Sequence, residues 1–397
     1  MVKGRASVTD FGAVADGITD SRAAFQAALD SGADEVLIPA GIYSVSGTLF
    51  VRSDTKITAA FGARICLRPA ERLRREDFLL STSPDTEYSE NIVISGGVWD
   101  GGNSLPECAL GEPKDSNGYT GAVINFDGVR GLKLSDMTVA NATAFSIRLC
   151  RTEDFTVEKI SFLNATAGED RDGLHFGGEC RRGRVRGIRD LSNAKSKGEL
   201  IALNADDFPD RAASRGMASG AIEDITFEDI SAEDCYTAVR LLSVFHPIRR
   251  ISFKDLQVGY RKHAINMDAG RYSETPIFKG EDYPDGIGCI ENVSFTNLVA
   301  RYTTPFRRDE KGYHIYKKFA VGVRLETLCD GLSFRNCHFV GLEDFPPVLA
   351  LCADNMPGTV FVRKTRRYTL GHGENITLGN FKNLRIIRSK GKEIKNG

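Results

Sequence analysis

The segments VEKISFLNA (157–165), IEDITFEDI (222–230) and IRRISFKDL (248–256) share one pattern. Each has an apolar residue, two polar residues, a second apolar residue, Ser or Thr, and Phe, and IENVSFTNL (290–298) and CDGLSFRNC (329–337) repeat it. We take as anchors of this pattern and its weaker copies Ile94, Leu134, Ile160, Val185, Ile225, Ile251, Val293 and Leu332. Successive anchors are 25–26 or 39–42 residues apart, which indicates a basic repeat, some copies of which carry an inserted loop.

A second motif follows most anchors, as FSIRL (145–149), DGLHF (172–176), ELIAL (199–203), TAVRL (237–241), HAINM (263–267) and VGVRL (321–325). Its third and fifth positions are almost always apolar and should face inward, with the fourth facing outward. Repeats of about 20–50 residues indicate solenoids or propellers. Two or three strands per repeat favour a single-stranded parallel β-helix, in which rungs stack at about 4.8 Å.

The first 60 residues form a capping region. Thr19 or Asp20 can cap a short α-helix that runs to about Asp30, and Gly32 is placed to end it. This helix would cover the open end of the core. The sequence therefore predicts one all-β domain over residues 1–397, a solenoid with a helical cap over 1–60 and repeated rungs over about 89–390.

The amino-acid composition limits the classes of binding partner that we expect for this chain. The net charge of −1 gives no reason to expect nucleic acid or a membrane as partner, and no apolar run approaches about 18 residues. No leader precedes the first motif at Val8, so we expect a cytoplasmic protein if Met1 is the native start, and a secreted one if a signal peptide has been removed. The nine cysteines form no CxxC pair, so we expect reduced, buried thiols.

The recurring phenylalanines are expected to form a stacked core rather than a sugar platform. They are Phe162, Phe227, Phe253, Phe295 and Phe334.

The opening VTDFGAVADGITDSRAAFQAAL, followed by VLIPAGIYSV, resembles the start of pectin-lyase-like right-handed β-helix proteins. The later rungs resemble glycoside hydrolase family 28, the polygalacturonases. This resemblance implies a right-handed coil with an active cleft on the outer face of one sheet. It also implies cleavage of a glycosidic bond in a uronate-containing, pectin-like oligosaccharide.

Aligning the second motif places Asp172 beside Glu199, with Arg148 and Arg240 on the flanking rungs and His175 between them. Paired carboxylates suit glycosidic cleavage, because one acid protonates the leaving oxygen while the other activates water or attacks the sugar. Side-chain directions can open the pair to the roughly 6.5–9.5 Å of inverting enzymes. An arginine fork can bind a uronate carboxylate. Strict alternation would aim Asp172 inward, so the site requires a bend at that point.

The polygalacturonase motifs are matched in part. Arg171-Asp172-Gly173 keeps one family acid, and Val239-Arg240-Leu241-Leu242 keeps the family arginine. Lys197-Gly198-Glu199 keeps the second acid of its motif, but Gly198 replaces the first, which is the family's proton donor. Another acid must then supply the proton.

The predicted catalytic residues are Asp172 and Glu199 as acid and base, with Asp207 as an alternative donor. The predicted substrate-binding residues are His175, Arg240, Arg148, Asp206, Asn204 and His263. Cys337-His338 lacks partners at metal-ligand spacing, so neither a metal nor another cofactor is predicted. The expected partner is an oligosaccharide or polysaccharide, trimmed from one end, and the sequence leaves the choice between monomer and homo-oligomer open.

Two alternatives stay open. A polysaccharide lyase or epimerase on the same fold would need a base and commonly Ca²⁺. A non-catalytic glycan-binding β-helix is the other, since Gly198 permits a decayed acid pair.

Overall fold

A computed structural model of the chain describes residues 4–68, 78–102, 114–115, 118–119, 122–166, 171–192, 198–206, 218–269, 282, 287–303, 321–325, 327–340, 349–351, 367–370, 374–379, 386–388 and 393–394. Strands dominate this part of the chain. Its helices are a short 3₁₀ turn, Val8–Phe11, and the α-helix α1, Arg22–Asp30. The predicted all-β class with one short N-terminal helix is confirmed.

The first ten strands are short. They are β1 Arg5–Ser7, β2 Asp16–Asp20, β3 Glu35–Ile38, β4 Gly41–Val45, β5 Leu49–Val51, β6 Lys56–Ala59, β7 Ala63–Leu67, β8 Leu80–Thr82, β9 Ser89–Ser95 and β10 Val98–Asp100. The next ten strands range in length from two to 21 residues, since several run through a corner without interruption. They are β11 Lys114–Asp115, β12 Gly118–Tyr119, β13 Ile124–Ala140, β14 Phe145–Leu163, β15 Asp172–Phe176, β16 Cys180–Asp190, β17 Glu199–Asn204, β18 Ile222–Leu242, β19 Ile248–Asp268 and β20 Ile290–Tyr302. The last strands are β21 Val321–Leu325, β22 Cys329–Asp330, β23 Leu332–Val340, β24 Leu349–Leu351, β25 Arg367–Leu370, β26 Glu374–Gly379, β27 Ile386–Arg388 and β28 Glu393–Ile394.

Each strand pairs in parallel with the equivalent strand one repeat later. One such column runs from Leu134 through Val157, Val185 and Phe227 to Phe253. The exceptions among the described strands are the antiparallel pairs β11–β12, β25–β26 and β27–β28. This stacking brings residues about one repeat apart in sequence into side-by-side positions.

Two columns of left-handed corners shape the repeats. The first contains Asn91, Gly131, Asp154, Arg182, Asp224, Arg250, Asn292 and Gly331, and the second contains Gly96, Asp136, Lys159, Gly187, Asp229, Asp255, Asn297 and Asn336. Every member has φ between 53° and 79°, and each second corner follows its first by five residues. Gly, Asn and Asp tolerate this backbone region best, which is why they recur in the repeat.

The corners correct our alignment of the earlier repeats. The residues that pair in the column of Ile225 are Leu132, Phe155 and Gly183, not Leu134, Ile160 and Val185. The column that contains Leu132 also contains Ile92 rather than Ile94. The last anchors, Ile251, Val293 and Leu332, are consistent with the register of β18, β19, β20 and β23.

The phenylalanine stack is confirmed for four of the five predicted residues. Ring centroids are 4.6 Å apart for Phe227 and Phe253, 4.7 Å for Phe253 and Phe295, and 5.3 Å for Phe295 and Phe334, with nearly parallel planes. Phe162 is buried but lies outside this stack, and it pairs in register with Asp190. It follows the second corner of its repeat, whereas the four stacked rings each follow a first corner.

The helix α1 packs against the apolar core of the N-terminal strands, and its role as a cap of the predicted solenoid stays a prediction. Phe25 and Ala28 are buried, and the Phe25 ring meets Tyr43 edge to face at 5.2 Å. The Gln26 side chain donates to the carbonyl of Phe50 at 3.1 Å and accepts from its N–H at 2.9 Å, so it pairs with the backbone of β5. The helix begins after Ser21, and Asp20 accepts a hydrogen bond from the N–H of Arg22 at 3.1 Å.

Seven cysteines lie in the described part of the chain, six of them buried, and none of the seven forms a disulfide. Burial raises the pKa of the Cys180 thiol to about 12, and that of Cys337 to about 11. These thiols therefore act as core residues. Within the same residues, no helix has the length and apolar character needed to cross a membrane.

Candidate active site

The second motif aligns as the sequence predicted. Its fourth position forms a ladder of residues that pair in parallel, and this ladder contains Asn125, Arg148, His175, Ala202, Arg240, Asn266 and Arg324. Leu174 pairs with Ile201, which places Asp172 beside Glu199 on the next rung.

Asp172 is at the centre of the site. Its Oδ1 accepts a hydrogen bond from the backbone N–H of Glu199 at 3.0 Å, and its Oδ2 lies 2.8 Å from Nδ1 of His175. The side chains of Asp172 and His175 therefore meet, although the two residues are three apart on one strand. No side chain fits at Gly173, because an added Cβ would lie 2.5 Å from the carbonyl oxygen of Leu200.

Glu199 holds a proton in this environment. Burial raises the pKa of its carboxyl group to about 8, and the neighbouring Asp172 carboxylate, which is also hydrogen-bonded to it, acts in the same direction. Arg240 opposes the shift. At a pKa of about 8, the carboxyl group of Glu199 keeps its proton at neutral pH.

The structure explains why residue 198 is a glycine. Its φ is 146°, and a Cβ there would lie 2.3 Å from the carbonyl oxygen of Arg171 and 2.4 Å from its carbonyl carbon. The rungs approach too closely at this point for any side chain. The family's acid is therefore excluded at position 198 by backbone packing.

Arg240 lies one rung beyond Glu199 and is fixed by Asp268. Its Nε and Nη2 donate to Asp268 at 3.0 Å and 3.2 Å, and Asn266 donates to the same carboxylate at 2.6 Å. Asp268 is fully buried. We did not predict Asp268, although extending the HAINM motif by one residue would have found it.

Arg148 is fully buried one rung before His175. Its Nε donates to Asn125 at 2.7 Å, and its guanidinium lies 5.6 Å from the ring centre of Phe78 and 5.5 Å from that of Phe145. The Phe145 ring packs against His175 at 4.3 Å. These contacts suit an arginine that supports the site from within the protein.

Asp206 forms hydrogen bonds with the chain at residues 244–246. Its Oδ2 accepts from the N–H groups of Val244, Phe245 and His246 at 2.7–2.9 Å, and its Oδ1 lies 2.6 Å from Nδ1 of His246. These bonds anchor a turn. The predicted role of Asp206 in substrate binding stays a prediction.

The other predicted residues are buried or lie outside the described chain. Asn204 and His263 are buried, and His263 pairs in register with Thr237, the partner of Glu199. Asp207 lies outside the described residues. The described residues on either side of residues 207–217 meet where the N–H of Gly220 donates to the carbonyl of Ala205 at 2.8 Å.

A small cavity lies against the carboxyl pair. Its volume is about 30 Å³, and its lining includes Asp172, Glu199, Asp190, Asp234, Tyr236 and Arg261. Burial raises the pKa of Asp190, and the nearby charge of Asp234 acts in the same direction. Arg261 lies 3.2 Å from Asp234. Sequence analysis missed Asp190, since it falls at the end of the misaligned repeat.

Across the described residues, no group of three or more His, Cys, Asp or Glu side chains is arranged to hold a metal ion.

Comparison with known families gives one match. The family described as rhamnogalacturonase A/epimerase, pectate lyase-like, matches residues 6–261, which contain all the site residues discussed above except Asn266, Asp268, His263 and Arg324.

Individual relatives are more distant. The preneck appendage proteins of Bacillus phages PZA and phi29 are each 33% identical over 97 residues, which is 24% of this chain. The chain spans only 11% of the length of these relatives.

Two solved structures are similar to this chain at low sequence identity. The surface adhesin PfbA of Streptococcus pneumoniae has a TM-score of 0.57 at 16% identity, over 87% of this chain and 81% of that one. The family 28 exopolygalacturonase of Yersinia enterocolitica has a TM-score of 0.47 at 15% identity, over 88% of this chain and 77% of that one.

Proposed function

The chain belongs to the pectate lyase-like family of rhamnogalacturonase A and epimerases, and we propose on this premise that it hydrolyses glycosidic bonds in uronate-containing, pectin-like oligosaccharides or polysaccharides. Membership confirms the resemblance to pectin-lyase-like proteins. We propose further that the chain is one right-handed solenoid domain and that its hydrolysis is of the family 28 type.

The observation that carries the proposal is the hydrogen-bonded pair of Asp172 and Glu199. A carboxyl group whose pKa lies near 8 keeps its proton at neutral pH and can donate it to a leaving oxygen. Asp172 keeps this proton in place, and His175 fixes Asp172 in turn. Glu199 is therefore the proton donor, and it replaces the acid that Gly198 excludes.

Arg240 is the proposed partner of the substrate's carboxylate. Its side chain is partly exposed while Asp268 is fully buried, so the ion pair holds the guanidinium at the surface of the cleft. A fixed guanidinium plane suits two-point binding of a carboxylate. Arg148, His175, Asn204 and His263 are too buried for direct contact with a polymer and would support this surface.

A lyase or epimerase is a second candidate, and the close approach of Asp172 to the backbone of Glu199 favours it. Proton abstraction beside a uronate carboxylate needs no water between two acids. The contact between Asp172 and Glu199 is compatible with that chemistry.

The purified protein should be incubated with defined galacturonan, rhamnogalacturonan and mannuronan oligosaccharides, and the products analysed by mass and by ultraviolet absorbance. Hydrolysis adds one water per bond cleaved and yields no absorbing product. An unsaturated product would establish a lyase, and a changed sugar of the same mass an epimerase.

Variants separate catalysis from binding. We expect Glu199→Gln and Asp172→Asn to reduce turnover by about 10²–10⁴-fold without loss of the fold. Glu228→Gln is the matched control, because this glutamate pairs with Lys254 at 3.3 Å on the surface. If the wild-type protein binds an oligosaccharide with no product formed, the chain is a glycan-binding protein and the enzymatic proposal is wrong.

A further inference from the structure

We propose that the ring of Phe245 is a stacking platform for a sugar, and that it forms a binding subsite beside Arg240. This inference rests on the proposed function, since the ligand is a uronate-containing oligosaccharide. Asp206 is buried and acts as a positioning residue, because it holds the turn that carries Phe245.

One buried carboxylate anchors the turn that follows β18. Oδ2 of Asp206 accepts from three successive backbone N–H groups, those of Val244, Phe245 and His246, and Oδ1 lies 2.6 Å from Nδ1 of His246. The hydroxyl of Ser243 donates to the carbonyl of His246 at 2.8 Å, which closes the turn on itself. A turn fixed by these bonds loses little freedom when a ligand binds, and this favours affinity.

The anchored turn exposes an aromatic ring to solvent. Phe245 is 50% exposed, and the side chain of His246 is 45% exposed. A single exposed apolar side chain needs no explanation by itself. Phe245 differs from the other exposed phenylalanines of the described chain, Phe11 and Phe61, because it alone follows a strand of the second motif.

The side chain of Arg240 extends towards this turn. Its backbone pairs with Asn266, yet its guanidinium bonds to the carboxylate of Asp268, two residues further along the neighbouring strand. Asp268 itself pairs with Leu242, the last residue of β18. Because a strand advances about 3.3 Å per residue, at most roughly 10 Å separates Leu242 from Phe245. An oligosaccharide whose carboxylate binds Arg240 therefore reaches Phe245 with the same ring or the neighbouring one.

The side chains of the turn match the two chemical surfaces of a pyranose. One face of a pyranose carries C–H groups, which pack against an aromatic ring, while its hydroxyls need hydrogen-bonding partners. His246 supplies such a partner beside Phe245, because Asp206 engages Nδ1 and Nε2 faces away from that carboxylate. Together with Arg240, the turn contacts a charged group, an apolar face and a hydroxyl of one ligand.

The kinetic experiment uses the galacturonan, rhamnogalacturonan and mannuronan oligosaccharides of the product assay and compares Phe245→Ala with Phe61→Ala, which removes an exposed ring between β6 and β7. We expect Phe245→Ala to raise KM by about 10-fold with kcat changed by less than about twofold, because stacking stabilises substrate and transition state equally. Phe245→Tyr, which keeps the ring, and Phe61→Ala should both keep the wild-type KM. An unchanged KM for Phe245→Ala overturns the proposal.

A binding measurement separates this proposal from the proposed function. Saturation-transfer NMR should show transfer from aromatic protons to the sugar C–H groups in the wild type and in Phe61→Ala, and a much weaker transfer in Phe245→Ala. Equal transfer in the three proteins, or no transfer to any of the three oligosaccharide classes, overturns the subsite. Transfer that depends on Phe245 without any product formed contradicts the proposed hydrolysis and supports the subsite.

The positioning role of Asp206 has its own readout. We expect Asp206→Asn to raise KM with kcat unchanged, and the double variant with Phe245→Ala to have the KM of Phe245→Ala alone, because both substitutions act through the same ring. Additive effects of the two substitutions on KM would overturn this role.

Discussion

Gly173 and Gly198 flank the two acids of the candidate site, and neither position has room for a Cβ. At Gly173 the obstacle is the carbonyl of Leu200, and at Gly198 it is the backbone of Arg171. These close approaches bring Asp172 within hydrogen-bonding distance of the Glu199 N–H. The two glycines thus determine the geometry of the carboxyl pair.

Gly198→Asp restores the polygalacturonase acid in sequence, yet we expect it to lower activity and stability. The new side chain meets the Arg171 backbone at 2.3 Å in a backbone conformation that only glycine adopts easily. We expect a loss of about 3 kcal/mol or more in the free energy of unfolding, measured by urea denaturation. Gly4→Ala is the control, since nothing lies within 4 Å of a Cβ there. A more active, equally stable Gly198→Asp protein would contradict this account.

Glu199 should make the stability depend on pH. Its pKa rises from 4.5 to about 8 on folding, so the folded state binds the proton more tightly than the unfolded state. The contribution is fully present below about pH 4.5 and is lost as the pH rises towards 8, by at most about 1.4 kcal/mol per unit. Glu199→Gln should flatten the decline in urea midpoints between about pH 5 and 7.5. Identical slopes for this variant, the wild type and Glu228→Gln would contradict it.

At the residue scale, sequence alignment found the acid pair and Arg240 because the second motif repeats without insertions. It did not find Asp268 or Asp190. Asp268 lies just past the aligned segment, and Asp190 becomes a neighbour of Glu199 only through the shape of a corner. The cavity beside Asp190 depends on three-dimensional packing, which the spacing of residues in the sequence does not predict.

At the element scale, the repeated unit is a four-residue strand between two left-handed corners. Each repeat contains two similar pairs of apolar residues, one before the second corner and one after it. The similarity of these pairs explains why the sequence alignment misplaced the anchors of the earlier repeats. The segment VEKISF contains the second corner, Lys159, where IEDITF contains the first, Asp224. The strands and their parallel order were predictable, but the choice between two corners five residues apart was not.

Phe253 lies between Phe227 and Phe295 in the aromatic stack. We expect Phe253→Ala to cost about 3–5 kcal/mol, because it leaves a cavity between rungs that cannot collapse. Thermal and urea unfolding would measure this cost. Phe61→Ala, at a fully exposed phenylalanine, should change stability by less than about 0.5 kcal/mol. Similar effects of the two substitutions would show that the stack is not part of the stabilising core.

At the scale of the whole molecule, we expect the N-terminal strands to need protection from pairing with other chains. The helix α1 packs beside β5 through apolar contacts and through the Gln26 amide, which bonds both backbone hydrogen-bonding groups of Phe50. The helix was predictable from its apolar face, although its N-cap is Ser21 rather than the predicted Thr19 or Asp20. The sequence did not predict that the Gln26 amide would form with Phe50 the two hydrogen bonds that a neighbouring strand would form.

Gln26→Ala should expose this strand edge. We expect a loss of about 2 kcal/mol from two hydrogen bonds, together with concentration-dependent self-association seen by light scattering. Gln257→Ala, at an exposed position on β19, should have neither effect. A monodisperse Gln26→Ala protein of unchanged stability would show that the helix protects the edge without this side chain.

The hydrogen bond between Gly220 and Ala205 joins the described residues on either side of residues 207–217. Because the chain already meets there, the number of residues between these two points can change without a change in the register of the flanking strands. We therefore expect homologous sequences to vary most in length and composition between residues 206 and 218, while the paired strands on either side keep their pattern.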